Sequence, residues 1–148
     1  MKTTFSYPKW AEIPNIDLYL DQVLLYVNQV SAPISPDKDK GLTASMVNNY
    51  VKHGYLTKPD KKKYQRQQIA RLIAITTLKS VFSIQEIAQT LNTLQTQASS
   101  DQLYDAFVDY MNQGIDPANP IIQTSCQTVK LYHQTLDLIH HTQEEVIQ

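Results

Sequence analysis

The sequence has little of several things that proteins use for chemistry. Of its 148 residues only three are glycine, so no glycine-rich loop can wrap a phosphate or dinucleotide. One cysteine, Cys126, excludes an internal disulfide framework and a cysteine-based zinc finger. No run approaches the roughly 18 consecutive apolar residues of a membrane span, and the first residues lack the apolar stretch of a secretory signal. A soluble, cytoplasmic protein without contact to a membrane is therefore expected. Charged residues make up only 18% of the chain, but 42% are hydrophobic, which suits a folded core rather than a disordered tail.

What charge there is lies unevenly. The net charge of −1 hides a segment, residues 40–80, with nine bases against Asp60 alone, a local +8. Residues 81–148 carry Lys130 against eight acids, a local −7. A polyanion meets the local field and not the average, so the middle of the chain is the expected contact surface. The alternative is a solvated lysine-rich face with no partner.

Hydrophobic spacing predicts mainly helix. Asn15 is a candidate cap for a helix to about residue 30, with Ile16, Leu20, Val23, Leu24 and Val27 inward. A proline-containing loop over 31–41 leads to Thr43, which can cap a short helix 44–53 closed by Gly54. Residues 55–64, with Pro59-Asp60 between arms ending in Tyr55 and Tyr64, predict a small β-hairpin. Further helices are expected over 65–80, from the capping box Ser83-Ile-Gln-Glu86, over 101–113, and from about 120 to 146. The polar segment 92–100 suggests a division into a 1–95 DNA-binding region and a 96–148 helical C-terminal extension, packed as one unit.

Helix, loop, short helix, basic hairpin, helix is the order of a winged helix-turn-helix. On helix 44–53, Ser45, Asn48, Asn49 and Lys52 share the outward side. Asn can pair with adenine N6 and N7 together, and Lys can reach guanine or phosphate. Lys58, Lys61, Lys62 and Lys63 on the hairpin would lie along phosphates, and Tyr64 and Arg66 complete the candidate DNA-binding set. Double-stranded DNA is thus the expected partner. A protein-interaction adaptor that docks an acidic partner on the same basic face is the alternative.

Elsewhere, Ile122, Val129 and Leu136, with Tyr132, Ile139 and Val146, form a heptad-like stripe on the last helix, so a homodimer through that helix is an expectation. His133, Asp137 and His141 span roughly 12 Å along a helix, too far for one ion, and surface pairing is expected. Asp101, Asp105 and Asp109 make an acidic stripe expected to be solvated or to dock a basic partner. Tyr104, Phe107, Tyr110 and Tyr132 are candidate lining for an effector pocket, or simply core. No nucleophile elbow or His-Glu-x-x-His pair is present; no enzyme activity, cofactor or metal is expected.

Two resemblances sharpen this reading. Val47-Asn-Asn-Tyr50-Val-Lys-His-Gly54-Tyr-Leu56-Thr-Lys-Pro59 resembles the recognition helix and wing of MerR-family regulators through Tyr50, Gly54, Leu56 and Pro59. Lys62-Lys-Tyr64, then Ile69, Leu72 and Ile75, then Leu78-Lys-Ser-Val-Phe82-Ser-Ile84-Gln-Glu-Ile87 are similar to the segments that follow in that family. Asn48-Asn49 stand where its members carry Arg-Tyr, and the loop before Thr43 is longer than their tight turn. A wider match joins Trp10-Ala-Glu-Ile-Pro14-Asn-Ile-Asp-Leu-Tyr19-Leu-Asp21-Gln22-Val23, the run Met46-Val-Asn48-Asn49-Tyr50-Val-Lys52, and Lys61-Lys-Lys-Tyr64. These resemble the bacterial YkrK-like family, domain of unknown function 1836. The resemblances imply a bacterial cytosolic protein with a MerR-like winged helix-turn-helix fold.

Overall fold

A computed structural model describes residues 6–31 and 41–147. In chain order come a 3-10 turn (Trp10–Glu12), β1 (Leu18–Tyr19), α1 (Leu20–Val30), α2 (Ala44–Lys52), β2 (Lys63–Tyr64), α3 (Arg66–Leu78), α4 (Ile84–Gln95), α5 (Ser100–Gln113) and α6 (Pro120–Ile147). The fold is mainly helical, with one small antiparallel sheet.

The centre is α3. Ile69, Ala70, Leu72, Ile73, Ala74, Ile75, Thr77 and Leu78 are all buried, so its apolar surface runs nearly around the cylinder. A helix of that kind must be covered on most sides. It packs against α1, α4, α5 and α6. One core cluster runs from Tyr7 and Ile13 through Val23, Val47 and Ile69 to Phe107 and Val129.

Several caps stand where expected. Thr43 accepts from the Met46 amide at 3.2 Å, and the Ser83–Glu86 box closes with bonds of 3.2 and 2.8 Å. Gly114 ends α5 in the left-handed region at φ 70°.

Two elements differ from expectation. The first helix begins at Leu20 and not after Asn15, and Ile16 is 66% exposed. Leu18 and Tyr19 are instead extended and pair with Tyr64 and Lys63. Because that pairing satisfies their backbone groups and buries Leu18, the helix can start only beyond it. The 55–64 hairpin is also reduced to its turn. Within it the only bridge joins Asp60 to Lys63. The second strand of the sheet comes from β1, distant in sequence, while Leu56 turns into the core at 2% exposed.

The N-terminal segment is held by α5. The Asn112 side chain accepts from the Tyr7 amide (2.8 Å) and donates to its carbonyl (3.0 Å). Tyr104 donates its hydroxyl to the Pro8 carbonyl at 2.7 Å, and Asp105 accepts from the Trp10 amide at 2.8 Å. Lys9 lies 3.3 Å from Asp109. Two members of the acidic stripe thus serve an internal basic and backbone partner.

Helix α6 divides in two. Ile122, Cys126 and Val129 are buried, whereas Leu131, Tyr132, Leu138 and Ile139 are exposed. Ile122 and Val129 are therefore spent on the core, and the Val146 side chain lies outside the described residues. No helix among the described residues is long and apolar enough to cross a membrane.

Candidate nucleic-acid interface

Helix α2 is positioned from both ends. The Asn28 side chain of α1 accepts from the Leu42 amide at 2.8 Å and donates to its carbonyl at 3.0 Å. This bidentate clamp fixes the chain one residue before the Thr43 cap. Gly41, just ahead, has φ +74°, and a Cβ there would run into the Asn28 amide. Replacing Gly41 with Ala is expected to destabilise by more than about 1 kcal/mol. Urea unfolding of the variant measures it, and an unchanged midpoint would show that the clamp tolerates a side chain.

Val47 and Tyr50 anchor the inner face of α2 at 0% and 3% exposure. Ser45, Asn48, Asn49 and Lys52 are then left exposed together, as helical spacing requires. Gly54 takes the left-handed conformation at φ +77°, and the Tyr50 carbonyl accepts from both Tyr55 (2.8 Å) and Leu56 (3.2 Å) amides.

From there the backbone is bolted to α3. Arg71 Nε donates to the Tyr55 carbonyl at 2.8 Å. Gln68, itself buried, donates Nε2 to the Thr57 and Lys58 carbonyls at 3.0 and 3.3 Å. These two positioning residues escape sequence reading, although a glutamine inside an otherwise apolar helix stripe is a usable signal of a buried polar clamp.

The turn itself is built at a cost. Asp60 and Lys63 exchange both amide–carbonyl bonds, at 3.1 and 2.9 Å, around Lys61 (φ 50°) and Lys62 (φ 67°). Two positive φ values in a two-residue hairpin loop describe a type I′ turn, whose usual residues are Asn-Gly. Here two lysines occupy it. Backbone strain held at an exposed, charged tip is the kind that accompanies function.

Asn48, Val51, Lys58, Pro59, Lys61, Lys62 and Tyr64 together line an open cleft of about 450 Å³ between α2 and the turn. Among the described residues, none of Lys52, Lys58, Lys61 or Lys62 makes an ion pair. The other candidates sit differently. Lys63 is half-buried, its ammonium 5.3 Å from the Tyr19 ring centre. Tyr64 forms the cleft floor at 3% exposure, where burial raises its pKa. Arg66 Nε donates to the Ile13 carbonyl at 3.1 Å and so ties β2 to the N-terminal segment. One base was not anticipated: Lys79 reaches the Met46 sulfur at 3.9 Å and flanks α2. His53 stacks on Tyr55 with ring centres 5.9 Å apart, at the exit of α2.

Among the described residues, no group of three His, Cys, Asp or Glu side chains is placed to hold a metal ion. Comparison with curated proteins gives no match. Comparison with solved structures gives none either. The family model described as a domain of unknown function, DUF1836, matches residues 8–107, a span that holds α1 to α4, both strands and the turn, and the chain belongs to that family.

Proposed function

We propose that this chain is a DNA-binding transcriptional regulator of MerR-like winged helix-turn-helix type, acting by binding and not by catalysis. Helix α2 lies in the major groove, where Asn48 and Asn49 read base edges and Lys52 reaches guanine or phosphate. The Asp60–Lys63 turn lies along the backbone as a minimal wing, its lysines on phosphates. The observation that carries the reading is the cleft in which Asn48, Lys58, Lys61 and Lys62 converge, exposed and without ion-pair partners among the described residues. Side chains suited to reading bases and to gripping phosphates thus share one cleft, which supports the reading. The exposed apolar residues of distal α6, Leu131, Leu138 and Ile139, favour a homodimer, which would present two such surfaces to the two halves of an inverted repeat.

Affinity for a labelled random duplex, titrated with salt, tests the electrostatic half of this proposal. Lys52, Lys58, Lys61 and Lys62 on four phosphates should give a slope of log K against log salt of about −4 per protomer. A flat or absent response would instead favour an adaptor that docks an acidic protein on this face.

A further inference from the structure

A second cavity, of about 80 Å³, lies between α3, α4, α5 and α6 with Trp10 at its edge. Its walls are mostly apolar, with Ala74, Leu78, Leu91, Leu94, Phe107 and Cys126 among them, and a few Gln, Ser and Thr side chains add polar groups. Of the four aromatics expected to line a pocket only Tyr104 and Phe107 do so. Tyr110 lies under the Lys130 ammonium at 4.8 Å, and Tyr132 is exposed on distal α6.

One ionised group lines this space. Arg71 is half-buried, and burial lowers its pKa with no acid contributing. Nε is taken by the Tyr55 carbonyl, and one Nη2 donor by the Asn92 side-chain oxygen at 3.1 Å. A guanidinium has five N–H donors, so its fork is not filled by these two bonds. No carboxylate pairs with it among the described residues. A partly buried cation without a counter-ion is costly, and the planar fork matches a carboxylate. An anion at Arg71 with an apolar body in the cavity would complement both.

We infer that this cleft binds a small carboxylic acid, its carboxylate accepting from Arg71 and its short branched or cyclic tail filling the space before Cys126. Acid binding in this cleft does not rest on the DNA-binding reading, although Arg71 also holds the Tyr55 carbonyl at the exit of α2. Burial pushes the Cys126 thiol up to about 12, so the cavity floor is a neutral, apolar surface at physiological pH.

Trp10 is the sole tryptophan and lines the cleft, so its emission reports occupancy. The full chain is titrated with isovalerate and with benzoate, and with isoamyl and benzyl alcohols as neutral counterparts. The expected result is a saturable change with at least one acid, and binding of the matching alcohol weaker by at least about 10-fold. Arg71→Gln should weaken the acid by a similar factor. Because Arg71 also braces Tyr55, Ala74→Leu is a second variant that leaves those bonds in place. It should abolish the response by filling the cavity, and should raise Tm. No saturable change with either acid, equal binding of acid and alcohol, or unaltered binding by Ala74→Leu would each overturn the assignment.

Discussion

Replacing Lys61 with Asn and Lys62 with Gly should weaken duplex binding about 60-fold at 0.1 M salt while making the protein more stable. The two effects have separate causes. Asn-Gly is the preferred pair for the type I′ turn that Lys61 and Lys62 now occupy at φ 50° and 67°. Relief of that conformation should add about 1 kcal/mol and raise Tm by roughly 2–4 °C. Loss of two phosphate contacts should flatten the salt slope by about 1.8. Since such contacts gain nothing at 1 M salt, that slope over one decade gives the 60-fold figure. Alanine at the same positions would remove charge and keep the strain, so it cannot separate the two. Equal affinity of variant and parent at every salt concentration would remove the turn from the interface.

The second large effect is on the scaffold. Leu72 is fully buried on α3, where helices close from several sides and leave little room for collapse into a cavity. Leu72→Ala should cost about 3–4 kcal/mol, a large part of the stability of an ordinary domain. Thermal denaturation should show Tm falling by roughly 6–16 °C. Leu25, on the same kind of helix but 66% exposed, is the matched control, and its replacement with Ala should stay within about 0.5 kcal/mol. Similar losses at both positions would contradict the placement of α3 at the centre.

Helix positions were legible in the sequence because their causes are local. Thr43, Ser83, Gly54 and Gly114 cap or close helices through bonds spanning a few residues. The outward set on α2 was legible for the same reason: Val47 and Tyr50 turn inward, and period 3.6 places Asn48, Asn49 and Lys52 outside. What escaped depends on distant partners. Leu18 and Tyr19 are extended only because Lys63 and Tyr64 are there to pair with them. Tyr64 and Arg66 read as part of the basic face, but β2 turns Tyr64 inward and Arg66 toward Ile13. The acidic stripe could not disclose that Asp105 and Asp109 hold the N-terminal segment across 95 and 100 residues of chain. Gln68 and Arg71, which brace the segment between α2 and β2, carry side chains that are usually exposed on helices, and only the fold turns them to backbone carbonyls.

The central claim is that the α2 face selects DNA by sequence. Purified protein incubated with fragmented genomic DNA near physiological salt, followed by recovery and sequencing of the bound fragments, tests it most directly. The expected result is enrichment of one shared motif, adenine-containing where Asn48 and Asn49 read it, and arranged as an inverted repeat. Recovery no greater than from beads without protein would contradict it.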